Sequence, residues 1–330
     1  MALKHIYRKK PVKYIKRSVF VLLALTFAVS NISDAQDSSP LNINIPLRTL
    51  GGKQFWTDIR IQGGWRIQRN HYTNHCRVVD AKNIRQTWGS FDQCQQRFET
   101  FIEKGKIEPY KNKIIILLHG VIRTRNSLDT LGRYLKNRNA ADVISWGYAS
   151  TRQTISQHAE KFGELLSYFP VDAEIYLVGH SMGNVVVRRY LKNKQDKRIK
   201  RMVMLAPPNR GSAFSRAVND NLLFETVWGV SGRELGGGFK KLEQQLGTPN
   251  FEFGIIAGHL ESNLVHNPLL DGPNDLVVTV EETALSGGAD FRTVNSTHTR
   301  IMNQRETLQY VQRFLKSGYF ESPTTKKPIR

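Results

Sequence analysis

Ile175-Tyr176-Leu177-Val178-Gly179-His180-Ser181-Met182-Gly183-Asn184 is the stretch around which the chain is organised. Four apolar residues lead into Gly-x-Ser-x-Gly, and Val185 to Leu191 continue as an apolar and basic helix. A buried strand that turns through glycines into a helix holds the serine in strained dihedrals at the strand's carboxyl end. Its hydroxyl then stands clear of the sheet. The helix start behind it offers free N–H groups and a positive dipole end, which suit an oxyanion. The pentapeptide alone is a weak signal; strand before and helix after make Ser181 a candidate nucleophile.

Working outward, Ile114 to Leu118 is an apolar run long enough for a strand buried on both faces and too short for a helix. Leu128 to Leu135 reads as a helix, Val143 to Trp146 as a strand and Thr154 to Tyr168 as a helix. After the serine unit, Arg201 to Leu205, Phe251 to Ile256 and Phe291 to Val294 read as strands, with Leu276 to Val280 as a short one. Arg300 to Lys316 is the closing helix. Strands alternating with helices imply right-handed crossovers and an α/β fold, a mostly parallel central sheet flanked by helices on both faces. The rhythm breaks at about 208–250, where Leu222, Leu223, Phe224, Val227 and Trp228 make one apolar helical face. This segment leaves the sheet at the end where the serine sits, so it is expected to be a mobile cap, with Gly232 and Gly236-Gly237-Gly238 as hinge. The alternative is a fixed helix that completes the core.

At 330 residues and 40% apolar, the chain can bury one large core. Residues 1–17 carry a run of Lys and Arg, Val19 to Val29 are apolar apart from Thr26, and Ser33-Asp34-Ala35 offers small residues for cleavage. Residues 1–35 therefore read as a signal peptide cut after Ala35, and the protein as exported, periplasmic or extracellular; an uncleaved N-terminal membrane anchor is the alternative. The net charge of +20 suits an anionic surface such as a membrane, or belongs to a generally basic protein. No nucleic-acid motif and no basic helix interleaved with aromatics is present, so no nucleic acid is expected as partner. Residues 36–105 read as an N-terminal extension: a hairpin of Phe55–Ile61 and Trp65–Gln68 about Gly63-Gly64, a strand from Cys76, and a helix over 84–104. These strands are expected to join the main sheet at its edge, a small independent domain being the alternative. The α/β domain then spans 106–320, and 321–330 reads as a disordered basic tail. Cys76 and Cys94 lack zinc-site spacing and, in an exported chain, are expected to be disulfide-bonded.

A serine hydroxyl needs a histidine to take its proton, and the imidazole needs an acid to orient it. Behind a nucleophile elbow the chain order is Ser, Asp or Glu, then His. Of the histidines from the elbow onward, His180 adjoins the nucleophile, and His259 and His266 precede the best acids. His298 follows the last strand and can swing over the serine. Asp275 directly precedes Leu276-Val277-Val278, which would pin its backbone, and is preferred over Asp271, a turn aspartate beside Gly272. The oxyanion donors would be the N–H of Met182, next after the nucleophile, and of Val121, in the loop His119-Gly120-Val121 after an early strand. His119 is read as structural.

Leu118-His119-Gly120, Gly179-His180-Ser181-Met182-Gly183, Ala206-Pro207-Pro208-Asn209-Arg210-Gly211-Ser212, Asn274-Asp275-Leu276-Val277-Val278 and Ser296-Thr297-His298 occur in the order seen in α/β-hydrolase fold lipases. The chain resembles bacterial lipases and esterases, and the GPI inositol-deacylase-like group with its Pro-x-x-Gly-Ser segment, over roughly residues 110–316. The resemblance implies an α/β-hydrolase fold with a cap insertion. It also implies hydrolysis of carboxylic esters, lipid acyl esters above all, through an acyl-enzyme on Ser181, His298 and Asp275, with no metal or cofactor. Leu276 departs from the pattern, since such lipases often carry Gly there. The same residues would serve a thioesterase, an amidase or an acyltransferase, and a non-catalytic envelope-binding protein on this scaffold is a further alternative.

Overall fold

A computed structural model of the chain describes residues 47–48, 54–217, 222–261 and 267–330. The expected signal peptide and its cleavage point lie outside the described residues. The N-terminal region holds strands β1 (Leu47–Arg48), β2 (Trp56–Gln62), β3 (Trp65–Asn70), β4 (Cys76–Val79) and β5 (Ile84–Gly89), then helix α1 (Phe91–Glu103). β2 and β3 close on Gly63 and Gly64 with φ of 55° and 81°, the mirror-image turn that matches strand twist. The helix expected over 84–104 starts late, its first six residues being a strand. Ile84 to Gly89 pairs with β4 instead, and the helix begins after Ser90, whose side chain and that of Gln93 cap each other's backbone N–H.

These strands form a sheet of their own, in the order β1-β5-β4-β3-β2, and do not join the main sheet as expected. α1 covers one face of it, with Cys94, Phe98 and Phe101 on Ile67, Cys76 and Val78. The other face meets the main domain through Asp58. Its backbone N–H donates to Gly147 O at 2.8 Å, and its carboxylate accepts from Gly147 N at 2.8 Å and from Arg66. A β-bulge between Asp58 and Arg60 shifts the strand at that point, so pairing with Gly147 does not propagate into a ladder. Cys76 and Cys94 are both buried as free thiols, not bonded as expected. Burial raises both thiol pKa values, that of Cys94 to about 12, which keeps them protonated and inert.

The main sheet takes β6 (Lys113–Leu118), β7 (Asp142–Trp146), β8 (Glu174–His180), β9 (Ile199–Leu205), β10 (Glu252–His259) and β11 (Asp290–Asn295). Their order is β11-β10-β9-β8-β6-β7, with every pairing parallel. Successive side chains of a strand face opposite ways, so a run apolar at every position needs cover on both sides. Ile114, Ile116 and Leu118 pack with α3 (Ile155–Leu166) and α4 (Met182–Leu191). Ile115 and Leu117 pack with α2 (Asp129–Lys136) and α8 (Arg305–Ser317).

Between β9 and β10 lie α5 (Ala213–Ala217), α6 (Leu222–Leu235) and α7 (Phe239–Glu243). α6 is broken at Gly229, with φ 62° and ψ −156°. Beyond that kink it is anchored: Val230 N donates to Thr151 O at 3.1 Å, Ser231 Oγ to Gln153 O at 2.7 Å, and Leu235, with Phe239 of α7, enters the core. The expected hinge at Gly232 and Gly236-Gly237-Gly238 is a hydrogen-bonded turn: Gly236 N donates to Gly232 O and Gly238 N to Arg233 O. The expected strand Leu276–Val280 is a tight turn closed by the bridge Asn274–Thr279. The tail is also ordered. Lys327 N donates to the buried Asp290 carboxylate at 3.0 Å, Arg292 binds Thr325 O, and Ile329 exchanges backbone bonds with Gly287 and Gly288. A buried Asp290–Arg292 pair supplies partners that a basic composition could not reveal.

Candidate active site

Ser181 stands between β8 and α4 with φ 53° and ψ −123°, a left-handed conformation that costs a non-glycine residue on the order of 1–3 kcal/mol. The neighbours that impose it are close. A Cβ on Gly183 would sit 2.6 Å from Leu118 O, so the first turn of α4 can press onto the end of β6 only with glycine there. Ser181 N donates to Leu205 O at 2.9 Å and Asn184 Nδ2 to the same oxygen at 3.3 Å, which tie the elbow to β9.

His298 Nε2 lies 2.9 Å from Ser181 Oγ, and its Nδ1 2.7 Å from Asp275 Oδ2. The sensible tautomer has Nδ1–H donating to the carboxylate and Nε2 accepting from the hydroxyl. Asp275 is fully buried; its Oδ1 accepts from Val277 N at 3.0 Å and Val278 N at 2.8 Å. Its backbone N–H donates to Val278 O and its O accepts from His298 N. The turn that does this puts Leu276 at φ 81°. That is the position where the resembling lipases often carry Gly, and here a leucine takes the left-handed conformation. Asp271 is exposed, and the fold brings Asp275, not Asp271, to the imidazole.

His180 is buried and Nε2–H donates to the carbonyl of His298 at 2.9 Å. Burial first, and then the His298 ring, hold its pKa well below the usual imidazole range, so it is a neutral support for the loop that carries His298. His119 is structural: its Nδ1–H donates to Gly120 O at 2.9 Å and its ring stacks on Tyr148 with centroids 4.1 Å apart. Burial lowers its pKa to about 4.

The loop after β6 passes directly over the serine. A Cβ on Gly120 would lie 3.1 Å from Ser181 Cβ. Val121 lines the pocket above Ser181, and Met182 opens α4. Among the described residues no backbone hydrogen bond takes the N–H of Val121 or of Met182. Ile122 holds φ 60°, an uncommon conformation for a β-branched residue. Gln54 of the N-terminal extension holds it there: its Nε2 donates to Ile122 O and Arg123 O, each at 3.1 Å. Nothing in the sequence pointed to Gln54, which is separated from Ile122 by 68 positions. Removing this clamp in Gln54→Ala is expected to lower turnover of an activated ester roughly 10-fold, by loosening the Val121 loop. Steady-state kinetics beside a melting curve checks it; unchanged kcat would show that the loop holds its own shape.

The pocket encloses about 120 Å³ and is walled by Val121, Ile122, Pro208, Trp228, Leu235 and Val277, with Ser181 and His298 at its base. Trp228 and Leu235 come from α6, so the 208–250 insertion does roof the serine. A parallel sheet in this order, a serine on a strained strand-to-helix turn, and an acid and a histidine from the loops after the next strands are now all in place. The chain has the α/β-hydrolase fold.

No protein-family model matches the chain, and no curated protein matches it in sequence. Solved structures of similar fold include phospholipase PlaB from Legionella pneumophila, at 19% identity and a TM-score of 0.43 over 52% of this chain and 45% of that one. The mature lipase BlEst2 of Bacillus licheniformis matches at 18% identity and a TM-score of 0.47, over 59% of this chain and 90% of that one. A metagenomic carboxyl esterase, MGS0156, matches at 17% and 0.46, over 58% and 65%. The chain thus spans less than half the length of the phospholipase. These likenesses are of fold alone, and they do not single out the GPI inositol-deacylase-like group.

Proposed function

We propose that this protein is an exported serine hydrolase of carboxylic esters. The observation that carries the reading is the pair of contacts at His298, 2.9 Å to Ser181 Oγ and 2.7 Å to Asp275 Oδ2. Ser181 Oγ attacks the ester carbonyl while His298 Nε2 takes its proton, and the buried Asp275 carboxylate steadies the imidazolium. The N–H groups of Val121 and Met182 receive the oxyanion. His298 returns the proton to the leaving alcohol, and water then repeats the sequence on the acyl-enzyme. Thiol esters and transfer to an alcohol acceptor use the same steps, because the three residues do not choose the leaving group.

Apolar walls favour an acyl group as the part enclosed. A cavity of about 150 Å³ holds a benzene-sized guest, so the 120 Å³ here suits an acyl chain of about four carbons or fewer. Across p-nitrophenyl esters, kcat/KM is expected to peak at acetate or butyrate and to fall at least 10-fold by laurate. A rise through laurate to palmitate would instead make long-chain lipid the substrate. One observation favours that second reading. Ile122, Val227 and Leu269 are large exposed apolar residues, on or next in sequence to segments that form the site, in a chain of net charge +20. An anionic membrane surface presenting lipid esters would match both. Export rests on residues 1–35. Intact-mass measurement of protein recovered outside the cytoplasm is expected to give a chain beginning at Gln36; retention of the full mass there would indicate the uncleaved anchor.

A further inference from the structure

The extension carries a second cavity that the reaction at Ser181 does not use. It is an open cleft of about 400 Å³ lined by Trp56, Thr73, His75, Arg77, Arg85 and Trp88, none of which lines the serine pocket. It opens on the face of the five-stranded sheet away from α1, where cross-strand pairing sets Asp58, Gln68, Arg77 and Trp88 in one row.

At the Asp58 end of that row the charges are matched. Asp58 takes Arg66 and Gln68 Nε2 at 2.7 Å. At the other end they are not. Arg77 is 8% exposed; its Nε donates to Gln68 Oε1 at 3.0 Å and its guanidinium lies 3.9 Å from the Trp56 ring centre. Its Nη2 is buried and, among the described residues, has no hydrogen-bond partner, and the same is true of His75 Nε2. Arg85 joins them with its guanidinium 6.0 Å from the Trp88 ring centre, and among the described residues no acid lines the cavity. Buried cations and donors without acceptors are costly unless something satisfies them. Burial and the nearby Arg85 depress the pKa of Arg77, to about 10.

We propose that this cavity is a binding site for a phosphate ester, its phosphate held by Arg77, Arg85 and His75 and its organic part lodged between Trp56 and Trp88. Two guanidinium groups suit a tetrahedral phosphate, whether the dianion of a monoester or the monoanion of a diester, and the space exceeds what a bare anion fills. The phosphate can come from a soluble sugar phosphate or from a phospholipid headgroup.

The test uses the full chain. Calorimetric titration with glucose 6-phosphate, inorganic phosphate and glucose is run beside sedimentation with phosphatidylinositol vesicles and with neutral phosphatidylcholine vesicles. Saturable binding of glucose 6-phosphate, competition by inorganic phosphate and no binding of glucose are expected if the source is soluble. Sedimentation with phosphatidylinositol but not phosphatidylcholine is expected if it is a headgroup. In either case Arg85→Gln, a partly exposed change, is expected to weaken binding about 10-fold or more while hydrolysis of p-nitrophenyl acetate stays as in the parent. Arg77→Lys gives a second variant that keeps charge but loses the fork, and it is expected to weaken binding as well. No phosphate-dependent binding in either arm, or binding unchanged in both variants, would overturn the assignment.

Discussion

Ser181→Ala is expected to lower turnover of p-nitrophenyl butyrate by at least about 10³-fold while the protein melts as the parent does. The alanine keeps the strained backbone of the elbow and the packing of Gly183 on Leu118, so the fold loses little. What disappears is the atom that forms the acyl-enzyme, and with it the partner of His298 Nε2 at 2.9 Å. Groups that act as one unit lose most of their effect when any one goes. His298→Ala is therefore expected to cost a similar factor, and the double variant little more than either single one. Residual turnover above background should reflect the oxyanion donors alone. A fluorophosphonate probe provides the independent readout: it should label the parent at Ser181 and leave Ser181→Ala unlabelled. Near-parental turnover in a folded Ser181→Ala protein would sink the proposed mechanism.

The second large effect is expected at Asp275. In Asp275→Asn the side chain keeps its shape, and its carbonyl oxygen can still accept from Val277 N or Val278 N. Its amide then faces His298 Nδ1, where the carboxylate stood at 2.7 Å. Two donors cannot share that contact, so the imidazole is pushed to the tautomer that carries its proton on Nε2, facing Ser181. A base in that state cannot take the serine proton, and the loss is expected to reach about 10³–10⁴-fold in kcat. Asp271→Asn, on the exposed turn four residues earlier, is expected to change kcat less than 2-fold. Equal losses at the two positions, or a larger one at Asp271, would remove Asp275 from its role.

The outcome divides along physical lines. The sheet and its elbow were legible because their determinants are local: five apolar residues with no polar alternation demand burial on both faces, as Ile114 to Leu118 obtain. Glycines at 179 and 183 around Ser181 announce a turn that few other residues could make. Ser181, His298 and Asp275 could be chosen in advance because chain order in this fold constrains them, although Leu276 concealed the positive φ that a glycine would have advertised. The extension was misread where long-range pairing outweighed local pattern. Ile84 to Trp88 has helical neighbours on one side yet finds its partner in β4, and Asp58 looks like any strand aspartate until Gly147 and Arg66 surround it. The tail from Glu321 is polar and basic, and it orders only because Asp290 and Arg292 are buried beneath it.

By itself, then, the sequence determined the fold class and offered the candidate serine, histidine and aspartate, since hydrophobic period, glycine placement and chain order are all read along the chain. Tertiary structure alone decided that Cys76 and Cys94 stay unbonded thiols. It also decided that Gln54 clamps the loop of Val121 and that Trp228 and Leu235 line the pocket at Ser181. Each of these is a contact between residues far apart in the chain, set by how sheets and turns stack, and side-chain chemistry read in order carries no term for that distance.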